Sequence, residues 1–153
     1  MRDGAAYGVG SNLVGMTSSD TTSTVSPLGR LPLGRLHRAP EAILPIGAHG
    51  SLDDRGQLVH AEDPAAQLAL ALALVEATVV GAGLQPADLA QLRVSATDLA
   101  AVLDVLDVLT DRLDEVGATP ALSVVGVCAL PVDGMLVALD GLALGTPRRP
   151  GRI

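Results

Sequence analysis

This chain has almost no aromatic residues, which limits the side chains from which its core can be built. Tyr7 is the only aromatic residue among 153, yet 48% of the residues are hydrophobic, so Leu, Val and Ala must supply the core. A domain of about 150 residues buries roughly 68–70% of its unfolded surface, which is enough for such a core. Single-stranded nucleic acids usually bind by stacking on aromatic rings, so this composition argues against them. The formal charge of −7 argues equally against duplex binding.

The charge distribution marks the limits of the predicted domain. Residues 41–140 carry three Arg against fifteen Asp and Glu, whereas Arg outnumbers the acidic residues on both sides. Residues 1–37 are rich in Ser, Thr, Gly and Pro, a composition that predicts a disordered or wrongly assigned extension. A signal peptide is the competing interpretation, but the apolar segment it requires is missing. We therefore predict one domain over residues 38–145 and a flexible, Arg-rich tail over residues 146–153.

Hydrophobic periodicity predicts the order of the elements. Asp63 and Pro64 are typical of a helix start, and Asp98 is placed to cap a second helix. Strands are expected at residues 43–48, 57–60, 91–97, 122–130 and 135–143, and helices at residues 64–80 and 99–116. The turn sequences at residues 53–56 and 131–134 predict hairpins.

The resulting order, β-β-α-β-α-β-β, predicts an α+β sandwich. Two helices would cover one face of a mixed sheet of five or six strands. The other sheet face would be bare and apolar, and a bare face of that size indicates that the protein oligomerises.

Six short motifs, taken in order, resemble the RidA/YjgF (Rid) family over residues 40–145. The motifs are Gly56-Gln57-Leu58-Val59, Asp63-Pro64-Ala65-Ala66-Gln67, Gly81-Ala82-Gly83, Val94-Ser95-Ala96-Thr97-Asp98, Pro120-Ala121-Leu122-Ser123 and Ala129-Leu130-Pro131. The resemblance implies the chorismate-mutase-like fold. It also implies a homotrimer whose sheets form a barrel, with small-molecule ligands bound in clefts between subunits.

The activity that the resemblance implies is hydrolysis of reactive enamines and imines to keto acids and ammonia. The family's carboxylate-binding arginine falls at Leu122, which has no hydrogen-bonding group, so this chain departs from the pattern there. Asp140 falls near the family's glutamate and is the candidate catalytic carboxylate. His49, Leu122 and Ser123 are the candidate substrate-binding positions.

Three function classes stay open at this point. The first is a RidA-type enamine/imine deaminase, a hydrolase, with altered specificity. The second is a non-catalytic small-molecule-binding or interaction trimer, favoured by the loss of polar groups at Leu122, Gly47 and Leu106. The third is a chorismate-mutase-type enzyme. It is weaker because a dianionic substrate needs several cations, and the domain offers only Arg55, Arg93 and Arg112.

No cofactor or metal is expected. The histidines His37, His49 and His60 lie in separate segments, and Cys128, in a predicted strand, is expected to be a buried, inert thiol. The longest apolar run, residues 68–75, is too short to span a bilayer, so no membrane partner and a cytoplasmic location are predicted.

Overall fold

A computed structural model of the chain describes residue 37 and residues 39–148. The elements are, in order, β1 (Ala42–Gly50), α1 (Pro64–Gly81), a 3-10 turn (Pro86–Asp88), β2 (Leu89–Ala96), α2 (Leu99–Asp104), α3 (Asp107–Glu115), β3 (Ala121–Gly126) and β4 (Val137–Gly145). The predicted extension over residues 1–37 lies outside the described residues except for residue 37. Of the predicted tail, residues 146–148 are described and contain no helix or strand.

The four strands form one mixed sheet in the order β1-β4-β2-β3. β4 is antiparallel to both of its neighbours, and β2 and β3 are parallel. A parallel pair requires a crossover connection, and α2 and α3 provide it. The expected α+β class and mixed sheet are confirmed.

The helices begin where their capping residues predict. The Ala66 N–H donates to Asp63 Oδ1 over 2.9 Å, and the Ala101 N–H donates to Asp98 Oδ1 over 3.1 Å. Each carboxylate therefore satisfies a backbone donor that has no partner within the helix. After α1, Gly83 adopts a φ of +80°, which favours glycine and turns the chain toward the sheet.

The core lies between the helices and one face of the sheet. α1 buries Leu68, Leu72, Val75 and Val79, and β2 contributes buried residues at alternate positions. By length and composition alone, α1 is the one helix in the described part of the chain that is able to cross a membrane. Its buried stripe packs instead against β1 and β4, as in the central helix of a globular domain.

α3 is tied to α1 by an arginine on its exposed side. Arg112 Nε and Nη2 donate to the two carboxylate oxygens of Glu76 over 2.9 and 2.8 Å, and Nη1 donates to Glu115 over 3.1 Å. Hydrogen bonds to Glu76 first, and then to Glu115, raise the pKa of Arg112 above its ordinary value. The guanidinium is therefore engaged between two helices, which removes one of the few cations that a chorismate-mutase-type site would need.

Two expectations about secondary structure are wrong. Residues 57–60 form no strand, because the turn is closed locally. Asp53 Oδ1 accepts from the Arg55 and Gln57 N–H groups, and only an isolated bridge joins Leu52 to Leu58. The second helix is divided into α2 and α3. The break lets half-buried Val105 and Leu106 both pack against the core.

The predicted hairpin between the last two strands is also wrong. β3 ends at Gly126, and β4 pairs with β1 and β2 but not with β3. Val137, Ala138 and Leu139 are consecutive buried residues of β4, which lies between β1 and β2 in the sheet. β3 contains exposed Ser123 and lies at the sheet edge. The described sheet therefore has four strands instead of five or six.

Candidate functional site

The candidate catalytic carboxylate, Asp140, forms an ion pair with an arginine on the neighbouring strand. Arg93 on β2 and Asp140 on β4 are register partners. Arg93 Nε and Nη2 each lie 3.0 Å from Asp140 Oδ2. The Arg93 side chain is 53% exposed and that of Asp140 is 27% exposed. The pair is therefore open to solvent and to a ligand, and a surface pair of this kind contributes little to stability.

Ser123 lies next to this pair on the third strand. Its register partner is Arg93, so the side chains of Asp140, Arg93 and Ser123 follow one another across β4, β2 and β3. Their sequence neighbours Leu92 and Leu139 are buried toward the helices, which places the three polar side chains on the opposite sheet face. We call Asp140, Arg93 and Ser123 the polar row.

His49 lies on the other side of the sheet. A bulge between Ile46 and His49 shifts the register, so that His49 pairs with the core residue Leu139. The His49 ring reaches α1, where Nε2 lies 3.0 Å from Thr78 Oγ1. Within one chain, His49 and Asp140 therefore face opposite sides of the sheet.

Leu122, the position that corresponds to the family's arginine, lies in the core. Its side chain is 7% exposed, and its register partner on β2 is the fully buried Leu92. Of the predicted site residues, the structure brings Asp140 and Ser123 together beside Arg93. It does not bring Leu122 or His49 to the same place in one chain.

Arg93 is the residue that sequence reasoning missed as part of the site. The alternation of β2 already placed it on the face away from the core, but its position beside Asp140 requires β4 to pair with β2. Strand neighbours that are distant in sequence cannot be read from a local pattern, so no signal in the sequence identified this pair.

Cys128 is exposed, so its predicted burial is wrong. The strand that was expected to contain Cys128 ends at Gly126, two residues earlier. Among residues 39–148, no group of three or more His, Cys, Asp or Glu side chains is arranged to hold a metal ion.

Comparison with known proteins decides the family. A family model described as endoribonuclease L-PSP matches residues 39–144, nearly the whole described domain. The chain belongs to this family. Solved structures with the same fold carry the names YjgF and Rid, so this family is the RidA/YjgF family that the sequence motifs resemble. No match was found among curated proteins.

Three solved structures illustrate the relationship to the YjgF/Rid family. Escherichia coli TdcF with bound serine is 25% identical, with a TM-score of 0.61, and the match covers 82% of this chain and 95% of TdcF. The E. coli YjgF gene product is 24% identical, with a TM-score of 0.61 and coverage of 80% and 93%. YyfB from Yersinia pestis, a Rid protein of unknown function, is 24% identical, with a TM-score of 0.62 and coverage of 74% and 86%.

Proposed function

We propose that this YjgF/Rid protein is an enamine/imine deaminase of altered specificity, and that the polar row recognises its substrate. The observation that carries the proposal is the solvent-open pair of Arg93 and Asp140 beside Ser123. An imino acid carries a carboxylate next to a C=N bond. Its binding site therefore requires one cationic group to bind that carboxylate and one carboxylate to act on the water. The serine bound to TdcF supports a ligand of similar size and charge.

The chemistry assigns different tasks to the two charged groups. Hydrolysis adds water to the C=N carbon and then expels ammonia, so a carboxylate that holds the water and accepts its proton lowers the barrier. Asp140 is suited to this because Arg93 engages only Oδ2, and none of the described residues forms a hydrogen bond to Oδ1. The half-exposed Arg93 guanidinium is accessible to a substrate carboxylate, a group that a guanidinium can bind through two parallel hydrogen bonds.

The altered specificity follows from where the cation is placed. The resemblance implied an arginine on β3, at Leu122, whereas this chain offers its guanidinium from β2, at Arg93. Charge-assisted hydrogen bonds contribute roughly 1.5–3 kcal/mol each. We therefore expect this chain to turn over small anionic imino acids on the order of ten- to a hundredfold more slowly than a deaminase that carries the arginine at the position of Leu122.

A first test measures ammonia and keto-acid release from enzymatically generated 2-iminobutanoate. We expect Asp140→Asn to lower kcat/KM by about a hundredfold or more, because the variant keeps the size of the side chain but loses the base. Arg93→Gln should lower kcat/KM on the order of tenfold. Asp133→Asn and Arg55→Gln, in exposed turns, are the matched controls. Equal activity of all four variants and wild type would rule out a role for the polar row.

The proposed assembly is a homotrimer in which ligands bind between subunits. Ile43 and Val125, in the edge strands β1 and β3, are 65% and 38% exposed and offer apolar surface that a partner subunit would cover. His49 and Asp140 face opposite sides of one sheet, so a single ligand would contact both only across a subunit boundary.

Light scattering on the purified protein should therefore give a mass about three times the 15.4 kDa of the chain. Ile43→Glu, which places a charge at the most exposed of these apolar positions, should shift the mass toward that of the monomer. Glu41→Lys, which alters an exposed charge just before β1, should leave the mass unchanged. A stable wild-type monomer at micromolar concentration would remove the support for sites between subunits.

A non-catalytic, small-molecule-binding protein of the same fold is the second candidate. The burial of Leu122 favours it, because the position that would carry the family's arginine instead packs in the core. The two candidates differ in one measurement: the non-catalytic protein would bind L-serine in calorimetry without releasing ammonia from 2-iminobutanoate. The net charge of −7 and the single aromatic residue argue against RNA as the ligand of either candidate.

A further inference from the structure

The His49 ring is held by a hydroxyl group that has only one proton to donate. Thr78 Oγ1 lies 2.9 Å from the carbonyl oxygen of Leu74, one turn earlier in α1, and donates to it. His49 Nε2 lies 3.0 Å from the same hydroxyl oxygen. When the single Thr78 proton is donated to Leu74, the hydroxyl is left as an acceptor for the ring, and this assigns the hydrogen to Nε2.

This arrangement fixes the chemistry of the other ring nitrogen. A neutral imidazole carries one hydrogen, so a ring protonated at Nε2 has a lone pair at Nδ1. None of the described residues forms a hydrogen bond with His49 Nδ1 within the same chain, although the side chain is only half-buried. A fixed acceptor is therefore available at this edge of the sheet.

The backbone around His49 supports a role beyond packing. The register of β1 shifts between Ile46 and His49, and bulges of this kind often re-aim a side chain beside a functional site. Gly47 and Ala48 within the bulge are exposed, and the space beside Gly47 is open for at least 4 Å from the point where a Cβ would lie. The exposed bulge therefore leaves the backbone next to His49 accessible from solvent.

We propose that His49 is a ligand-binding residue whose Nδ1 accepts a hydrogen bond from an N–H group of a small amino-acid-like ligand. Thr78 is the positioning residue that holds the ring in the Nε2–H tautomer. The ligand class rests on the proposed function, since enamines, iminium ions and amino acids all present N–H donors. The tautomer follows from the hydrogen bond that Thr78 donates to Leu74, without the proposed function, and can be tested in the free protein.

The first measurement is ring ¹⁵N NMR of histidine-labelled protein above neutral pH. The chain has three histidines, and the His49→Gln variant identifies the His49 signals by their loss. We expect an unprotonated Nδ1 and a protonated Nε2 in the wild type. Thr78→Ser keeps the hydroxyl and should keep this pattern, whereas the nearly isosteric Thr78→Val should give a mixture of tautomers. A protonated Nδ1 in the wild type, or an unchanged pattern in Thr78→Val, would overturn the assignment.

The second measurement uses L-serine as the probe. Saturating L-serine should shift the Nδ1 signal in the wild type and in Thr78→Ser, and its apparent Kd should rise about 2- to 10-fold in Thr78→Val, the loss expected for one hydrogen bond. A Kd that is the same in His49→Gln and Thr78→Val as in the wild type would refute the acceptor role, as would an Nδ1 signal that L-serine does not move. The wild-type deaminase assay separates the two proposals. An Nδ1 shift without ammonia release would support the acceptor role of His49 and would reject only the proposed deaminase function.

Discussion

Replacing Gln67 with Leu is expected to lower the free energy of unfolding by about 3–5 kcal/mol, because the substitution removes the hydrogen-bond partner of three part-buried backbone groups. The Gln67 side chain is fully buried. Its Nε2 donates to the carbonyl oxygens of His60 and Gly134 over 3.1 and 3.2 Å, and its Oε1 accepts from the Leu136 N–H over 2.8 Å. One amide thus joins the start of α1 to two loops that are far apart in sequence.

Leu is close to Gln in volume, so the measured loss of stability would come from unsatisfied hydrogen bonds more than from a cavity. Urea unfolding followed by circular dichroism gives the midpoint and the free energy. Gln57→Leu is the matched control, since Gln57 is exposed and its side chain makes no hydrogen bond within the described residues. Similar midpoints for the two variants would show that Gln67 does not hold the loops together.

Replacing Gly141 with Ala should destabilise the sheet by about 3 kcal/mol or more, because the added methyl group would clash with the backbone of the neighbouring strand. A Cβ at Gly141 would overlap the carbonyl oxygen of Gln91 and lie 3.4 Å from Leu92 Cα. Both obstacles are backbone atoms of β2, which is held by strands on both sides and cannot yield easily.

Gly47→Ala on β1 provides the comparison, because a Cβ there would meet nothing within 4 Å. Both glycines lie in strands of the same sheet, so the two substitutions have similar effects on the unfolded chain. Thermal unfolding of the two variants should differ by several degrees or more, with only Gly141→Ala strongly affected. A Gly141→Ala protein as stable as Gly47→Ala would mean that β4 and β2 are not packed as described.

The polar row shows where sequence reasoning stops. Asp140 was identified by its resemblance to a family residue, and Ser123 by its place beside the missing arginine. The sequence shows Arg93 only as an outward-facing residue of a half-buried strand and as one of three cations in the domain. Its role depends on the insertion of β4 between β1 and β2, and no local pattern specifies that choice.

Local sequence specifies the features of this protein that act over one or two turns of chain. The carboxylates of Asp63 and Asp98 cap backbone donors three residues away, and the alternation of β2 selects which side chains face the core. Which strands are neighbours depends on how the whole chain folds. The tertiary structure also set Leu122 in the core and placed His49 and Asp140 on opposite faces. The physical reason is that strand pairing joins segments tens of residues apart, where burial of the whole sheet outweighs any local preference for a hairpin.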